Sequence, residues 1–152
     1  MTEPLDVLAI MAHPDDAELL CGGSLAKSSS EGQRVGVLDL TRGEKGSSGS
    51  REIRAKEASN ASAILGLSVR QNAGLADASL INDSQAKHIV VELIRELRPQ
   101  AVVTHSLEAR HPDHRNATQL VYDACFLAGI KKYSAQGKIH RPETVIHSLL
   151  FR

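Results

Sequence analysis

The chain has no tryptophan, two tyrosines and two phenylalanines among 152 residues. So few rings make poor stacking platforms for single-stranded nucleic acid. An excess of either charge is also missing, because 18 Lys plus Arg balance 18 Asp plus Glu. That balance argues against binding that rests on a basic face. The only cysteines, Cys21 and Cys125, lie far apart and form no CxxC or framework spacing. Neither a disulfide scaffold nor a cysteine-based zinc site is expected, and a reducing cytosol fits best. No apolar run reaches the roughly 18 residues of a membrane span. The start, MTEPLDVLAI, carries Glu3 and Asp6 where a secretory leader needs positive charge. The expectation is a soluble, untargeted, cytoplasmic protein that meets neither membrane nor nucleic acid.

What is present suits one folded domain, since 41% of residues are hydrophobic and the length falls within a single domain's usual range. Leu5–Met11 is a nearly continuous apolar run, as expected of a central strand covered on both faces. Ala17–Ser29 reads as a helix, Arg34–Leu40 as a strand and Thr41–Ser50 as a glycine- and serine-rich loop. Ser50 is placed to cap a helix over Arg51–Leu65 that stops at Gly66. Ser68–Asn72 is a short strand. In Asp83–Leu97 the positions Ala86, Ile89, Val90, Leu93, Ile94 and Leu97 repeat with helical period before Pro99. Ala101–Thr104 is another buried strand, Pro112–Phe126 a helix with proline at its first position, and Thr144–Phe151 a last strand. This alternation predicts an α/β, Rossmann-like, open and mostly parallel sheet with helices on both faces. The chain stops two residues after an apolar pair, without a segment to cover that strand, which reads as a C-terminal truncation.

Chemistry concentrates in two turns. His13-Pro14-Asp15-Asp16 directly follows the first strand, and His111-Pro112-Asp113-His114 follows Ala101–Thr104 after a short loop. Both belong at the carboxyl edge of the sheet, where open α/β folds bind ligands. Either turn alone is ordinary, because Pro and Asp favour turns and Asp can cap a helix. Two histidine-bearing turns behind two buried strands point instead to a metal site of imidazole and carboxylate, with Asp15 and Asp16 able to divide the roles of base and ligand. His105 could support such a site, whereas His88, His140 and His147 have no comparable partners and read as surface or structural groups. Cys21 and Cys125 read as small apolar residues within helices. Arg54 is either half of an exposed ion pair with Glu57 or a group projecting into the site, and Arg110 is either a substrate-facing group, the favoured reading, or a solvated charge. A nucleotide cradle is not expected, because neither GxxxxGK[ST] nor a GxGxxG after a strand occurs.

The segments MAHPDDAELLCGG, LTRGEKGSSGSREIRAKEA and ARHPDHRNA, in this order, resemble the zinc-dependent LmbE-like (PIG-L) N-acetylglucosamine deacetylases. They look most like the bacterial branch acting on N-acetylglucosaminyl malate in bacillithiol biosynthesis. The resemblance implies that His13, Asp16 and His114 hold zinc and that Asp15 is the general base. It further implies that His111 stabilises the oxyanion or protonates the leaving amine, with Asp113 orienting it. Arg54 and Arg110 would face the sugar or its acidic aglycone. Family members extend well beyond this length, so residues 1–152 are expected to form one LmbE-like domain lacking its C-terminal part. The implied partners are a small N-acetylglucosamine conjugate and further copies of the chain in a homo-oligomer. Two other readings remain open: a non-haem Fe(II) site, which two histidines and a carboxylate also suit, and a metal-binding fragment without activity.

Overall fold

The structure is a computed structural model that describes residues 3–46 and 50–148. Its elements alternate as β1 (Val7–Met11), α1 (Asp16–Ser30), β2 (Val35–Thr41), α2 (Arg51–Leu65), β3 (Val69–Leu75), α3 (Ser84–Leu97), β4 (Ala101–Thr104), α4 (Pro112–Ala128) and β5 (Thr144–His147). The five strands form one sheet in the order β3-β2-β1-β4-β5, and every pairing is parallel. The α/β expectation therefore holds, with a fully parallel sheet among the described residues. The chain runs outward from β1 to β2 and β3, then crosses back to β4 beside β1. The switch point of the sheet thus lies between β1 and β4, and a crevice opens there at the carboxyl ends.

Side chains of β1 alternate between two apolar layers. Leu8 and Ile10 pack with Val90 and Ile94 of α3 and with Leu120 and Ala124 of α4. Ala9 and Met11 pack with Ala17 and Leu25 of α1 and with Val35 and Val37. Burial on both faces explains why β1 reads as a continuous apolar run.

Local signals place most element ends correctly. The Ser50 side chain accepts a hydrogen bond from the N–H of Ile53, and Gly66 closes α2 in the left-handed region at φ 66°. α3 starts on an Asp83 cap, Oδ1 accepting from the N–H of Ala86. Its buried face differs in part from the periodic one: Val91 and Arg95 are buried, whereas Ile89 and Leu93 are only half-buried. The reason at Arg95 is a set of backbone acceptors. Its guanidinium donates to the carbonyls of Ala128, Ile130, Tyr133 and Ala135, fastening the α4–β5 connection onto α3. β3 runs to Leu75, three residues beyond the expected strand. β5 ends at His147, so Ser148 of the expected Thr144–Phe151 strand falls outside it, and residues 149–151 lie outside the described residues. Among the described residues no helix is long and apolar enough to cross a membrane.

Both cysteines are free. Burial pushes the Cys21 thiol up to about 11 and the Cys125 thiol to about 12. Only about one Cys21 in a thousand is then a thiolate at pH 8, against about a quarter for a thiol at 8.5. Alkylation of the native protein by iodoacetamide at pH 8 is therefore expected to run at least about a hundredfold slower than in the denatured chain, and to accelerate as pH rises. Equal native and denatured rates, followed by mass spectrometry, would contradict this placement.

Candidate metal centre

The turn after β1 is pinned from both sides. The Ala12 N–H donates to Nε2 of His105 at 2.9 Å, and the Ala12 carbonyl accepts from the N–H and hydroxyl of Thr41. His105 is 1% exposed, and burial together with the nearby His114 lowers its pKa to about 4. It is neutral, accepts at Nε2, and stacks on His114 with ring centroids 3.9 Å apart. It supports the turn from behind.

β4 lies beside β1, so the turn before α4 meets the turn after β1. His114 Nε2 lies 3.3 Å from His13 Nδ1 and 3.2 Å from Asp16 Oδ2. His13 Nδ1 lies 3.2 Å from the same Asp16 oxygen. Tetrahedral zinc bonds of about 2.0–2.1 Å require donor–donor edges of about 3.3–3.4 Å. The triangle of two imidazole nitrogens and one carboxylate oxygen fits that requirement.

The opposite edge of His13 completes the arrangement. Its Nε2 lies 3.1 Å from Asp113 Oδ2 and 3.1 Å from Asp77 Oδ1. Two carboxylates thus hold a proton at Nε2 and turn Nδ1 towards Asp16 and His114, as carboxylate partners do behind ligating histidines. A second donor group, His13, His111 and Asp113, is also close together. It is the weaker candidate, because Nδ1 of His111 already accepts the Asp113 N–H at 3.1 Å and Nε2 of His13 faces the carboxylates.

The electrostatics follow from this crowding. Burial opposes charge on His13, yet Asp16, Asp113 and Asp77 raise its pKa to about 9. Burial likewise opposes charge on Asp16, but His114, His13 and His105 hold it well below the usual carboxylate range. Burial and the neighbouring Asp16 push Asp15 upward, against the pull of Arg54 and His13. Burial, His114 and His13 lower the pKa of His111.

Asp15, Arg54 and His111 line a cavity of about 300 Å³ with the three donor residues. Asp15 makes no side-chain cap to α1, which leaves its carboxylate available to that cavity. Arg54 belongs to the site rather than to an ion pair with Glu57, its guanidinium lying against Gly43 and Gly46. Arg110 does not line the cavity. The Asp113 carboxylate also differs from its expected place behind His111: it accepts from the N–H groups of Ala78 and Leu80 and meets His13, touching His111 only through the backbone. Sequence reasoning missed Asp77 entirely. It is buried, and its carboxylate accepts the Lys45 N–H at 2.7 Å, tying the loop after β2 to His13. Its position just past the carboxyl end of β3 was the available signal.

The family model described as PIG-L, GlcNAc-PI de-N-acetylase, matches residues 8–125. The chain belongs to the PIG-L family. The crystal structure of the conserved protein TT1542 from Thermus thermophilus is 42% identical, with a TM-score of 0.93 over 97% of this chain and 69% of that one. A 1D-myo-inositol 2-acetamido-2-deoxy-alpha-D-glucopyranoside deacetylase from Segniliparus rotundus is 28% identical over 86% of this chain and 53% of its own. GalB, the 4-carboxy-2-hydroxymuconate hydratase from Pseudomonas putida KT2440, is 27% identical, with a TM-score of 0.80 over 91% of this chain and 63% of that one. The chain spans about half the length of the curated relatives it matches first. A hydratase among the neighbours shows that this architecture alone does not dictate the reaction.

Proposed function

We propose that this PIG-L protein is a zinc-dependent hydrolase that removes the N-acetyl group from an N-acetylglucosamine conjugate, with His13, Asp16 and His114 as the metal ligands. The observation that carries the reading is the donor triangle, closed by three atoms at tetrahedral spacing. Bound zinc would supply a Lewis acid and lower the pKa of water to about 7. Asp15, raised in basicity and open to the cavity, takes the proton from the attacking water. Nδ1 of His111 is committed as an acceptor at the start of α4, so its neutral ring carries the proton at Nε2 and can donate a hydrogen bond to the oxyanion, while the proton that Asp15 took from water passes to the departing amine. Asp113 and Asp77 orient His13. Fe(II) is the alternative occupant of the same donors.

Arg54 supplies the fixed fork that pairs with a carboxylate or sugar oxygens. We extend the reading to an acidic conjugate of the N-acetylglucosaminyl malate type, as in bacillithiol biosynthesis. The test is amine release by the zinc-loaded protein from N-acetylglucosaminyl malate, from an inositol-linked N-acetylglucosamine and from the free sugar. Turnover of the acidic conjugate first is expected. Preference for the inositol conjugate would move the substrate assignment, and no release from any would overturn the deacetylase reading.

The glycines beside Arg54 give a sharper check. A Cβ at Gly46 would collide with Nη2 of Arg54, and one at Gly43 would lie 2.7 Å from Nη1. Gly46→Ala is therefore expected to displace the guanidinium and lower kcat/KM by about ten- to a hundredfold, as Arg54→Ala does. The double variant should be no worse than Arg54→Ala alone, since both changes remove one interaction. Additive losses in steady-state kinetics would show that Gly46 acts by another route.

A further inference from the structure

A second hollow, of about 440 Å³, lies behind the wall of the active-site cavity. The two share that wall: Pro14, Arg42 and Ala55 line one side, and their chain neighbours Asp15, Gly43 and Arg54 line the other. Three arginines face the hollow, Arg42 from the end of β2, Arg51 from the first turn of α2 and Arg70 from β3.

Their charges are not equally answered. Arg70 donates two hydrogen bonds to Asp39 and another to Glu18, so its own charge is fully answered. Among the described residues Arg42 makes no ion pair, and Arg51 shows only a Coulombic pull on the adjacent, fully exposed Glu52. Arg51 also occupies the first position of α2, the positive end of the helix dipole, where a cation is disfavoured and an anion favoured. Two exposed guanidinium groups from different elements, neither in an ion pair among the described residues, thus converge on one hollow at a helix N-terminus, where an anion is favoured. Among the described residues, one carboxylate lines the hollow, Asp39, and it is paired with Arg70.

We infer that this hollow is a binding site for a small organic anion carrying a carboxylate or phosphate, held by Arg42 and Arg51. Guanidinium forks suit such groups because each can donate two parallel hydrogen bonds. The anion has two possible sources, the acidic end of a conjugate whose sugar fills the neighbouring cavity, or a free metabolite bound beside it.

Isothermal titration of the intact protein with succinate and with inorganic phosphate, using neutral succinamide as control, tests the site without reference to activity. Saturable binding of at least one anion and none of succinamide is expected. Arg42→Gln and Arg51→Gln should each weaken it by about ten- to a hundredfold, while Arg54→Gln, on the other side of the wall, leaves it nearly intact. No saturable binding, or binding abolished by Arg54→Gln and untouched by the other two, would overturn the inference. Circular dichroism shows whether the variants are folded, and Arg42→Lys/Arg51→Lys, which keeps charge without the fork, should bind with intermediate affinity. Kinetics then separate the sources. A loss of kcat/KM confined to acidic conjugates in the Arg42 and Arg51 variants identifies the substrate's own acid, and unchanged kinetics with lost succinate or phosphate binding identifies a free ligand. If the wild type deacetylates nothing, the proposed function fails while the titration still decides this site.

Discussion

Asp15→Asn is expected to keep a full complement of bound metal and to lose about 10²–10⁴ in kcat, the usual contribution of a positioned general base. The two adjacent carboxylates of the first turn differ in what surrounds them. Asp16 is buried at the vertex shared by His13, His114 and His105, whereas Asp15 lies on the cavity side and caps nothing. Asparagine preserves the size of the side chain and leaves the donor triangle untouched, so the change removes proton acceptance alone. Single-turnover acetate release compared with metal content checks this. A variant with near-normal rate would return Asp15 to a turn residue, and one that loses metal along with rate would merge its role with that of Asp16.

The second large effect is on stability. Arg70→Ala is expected to lower the free energy of unfolding by about 3–5 kcal/mol, because it strands the largely buried carboxylates of Asp39 and Glu18 without their cation. Arg70 joins β3, β2 and α1, and it also reaches the Ala58 carbonyl on α2. Replacing Arg70, Asp39 and Glu18 together with Met, Leu and Gln should cost much less, since no uncompensated charge remains. Urea unfolding measures both. A single variant within about 0.5 kcal/mol of wild type would mean that water already compensates the carboxylates.

Much of the architecture was legible because it is carried by local pattern. The apolar run of β1, the largely apolar β2, the period of α3, the Ser50 cap and the Gly66 stop each report on a few neighbouring residues. The grouping of residues at the candidate site was legible for a related reason. Both histidine turns follow strands at the carboxyl edge, and the switch between β1 and β4 makes those strands neighbours. What escaped depends on contacts across long sequence separations. Asp77 meets His13 from another strand end, Arg95 is buried by carbonyls in a connection that has no regular pattern, and Arg70 finds Asp39 only once β2 and β3 pair. The partner of Asp113 was misjudged for the same reason: His111 is adjacent in sequence, but the loop carrying Ala78 and Leu80 brings the competing donors. Arg110 sits next to His111 in sequence, yet its side chain does not reach the cavity lining.

The central claim is that His13, Asp16 and His114 form one metal centre. Elemental analysis of the zinc-loaded protein after exhaustive dialysis tests it most directly, comparing wild type with His13→Ala, Asp16→Ala, His114→Ala and, as a control, His88→Ala. One zinc per chain in wild type and in His88→Ala, with little or none in the other three, is the predicted result. Stoichiometric zinc retained by His13→Ala and His114→Ala would contradict it.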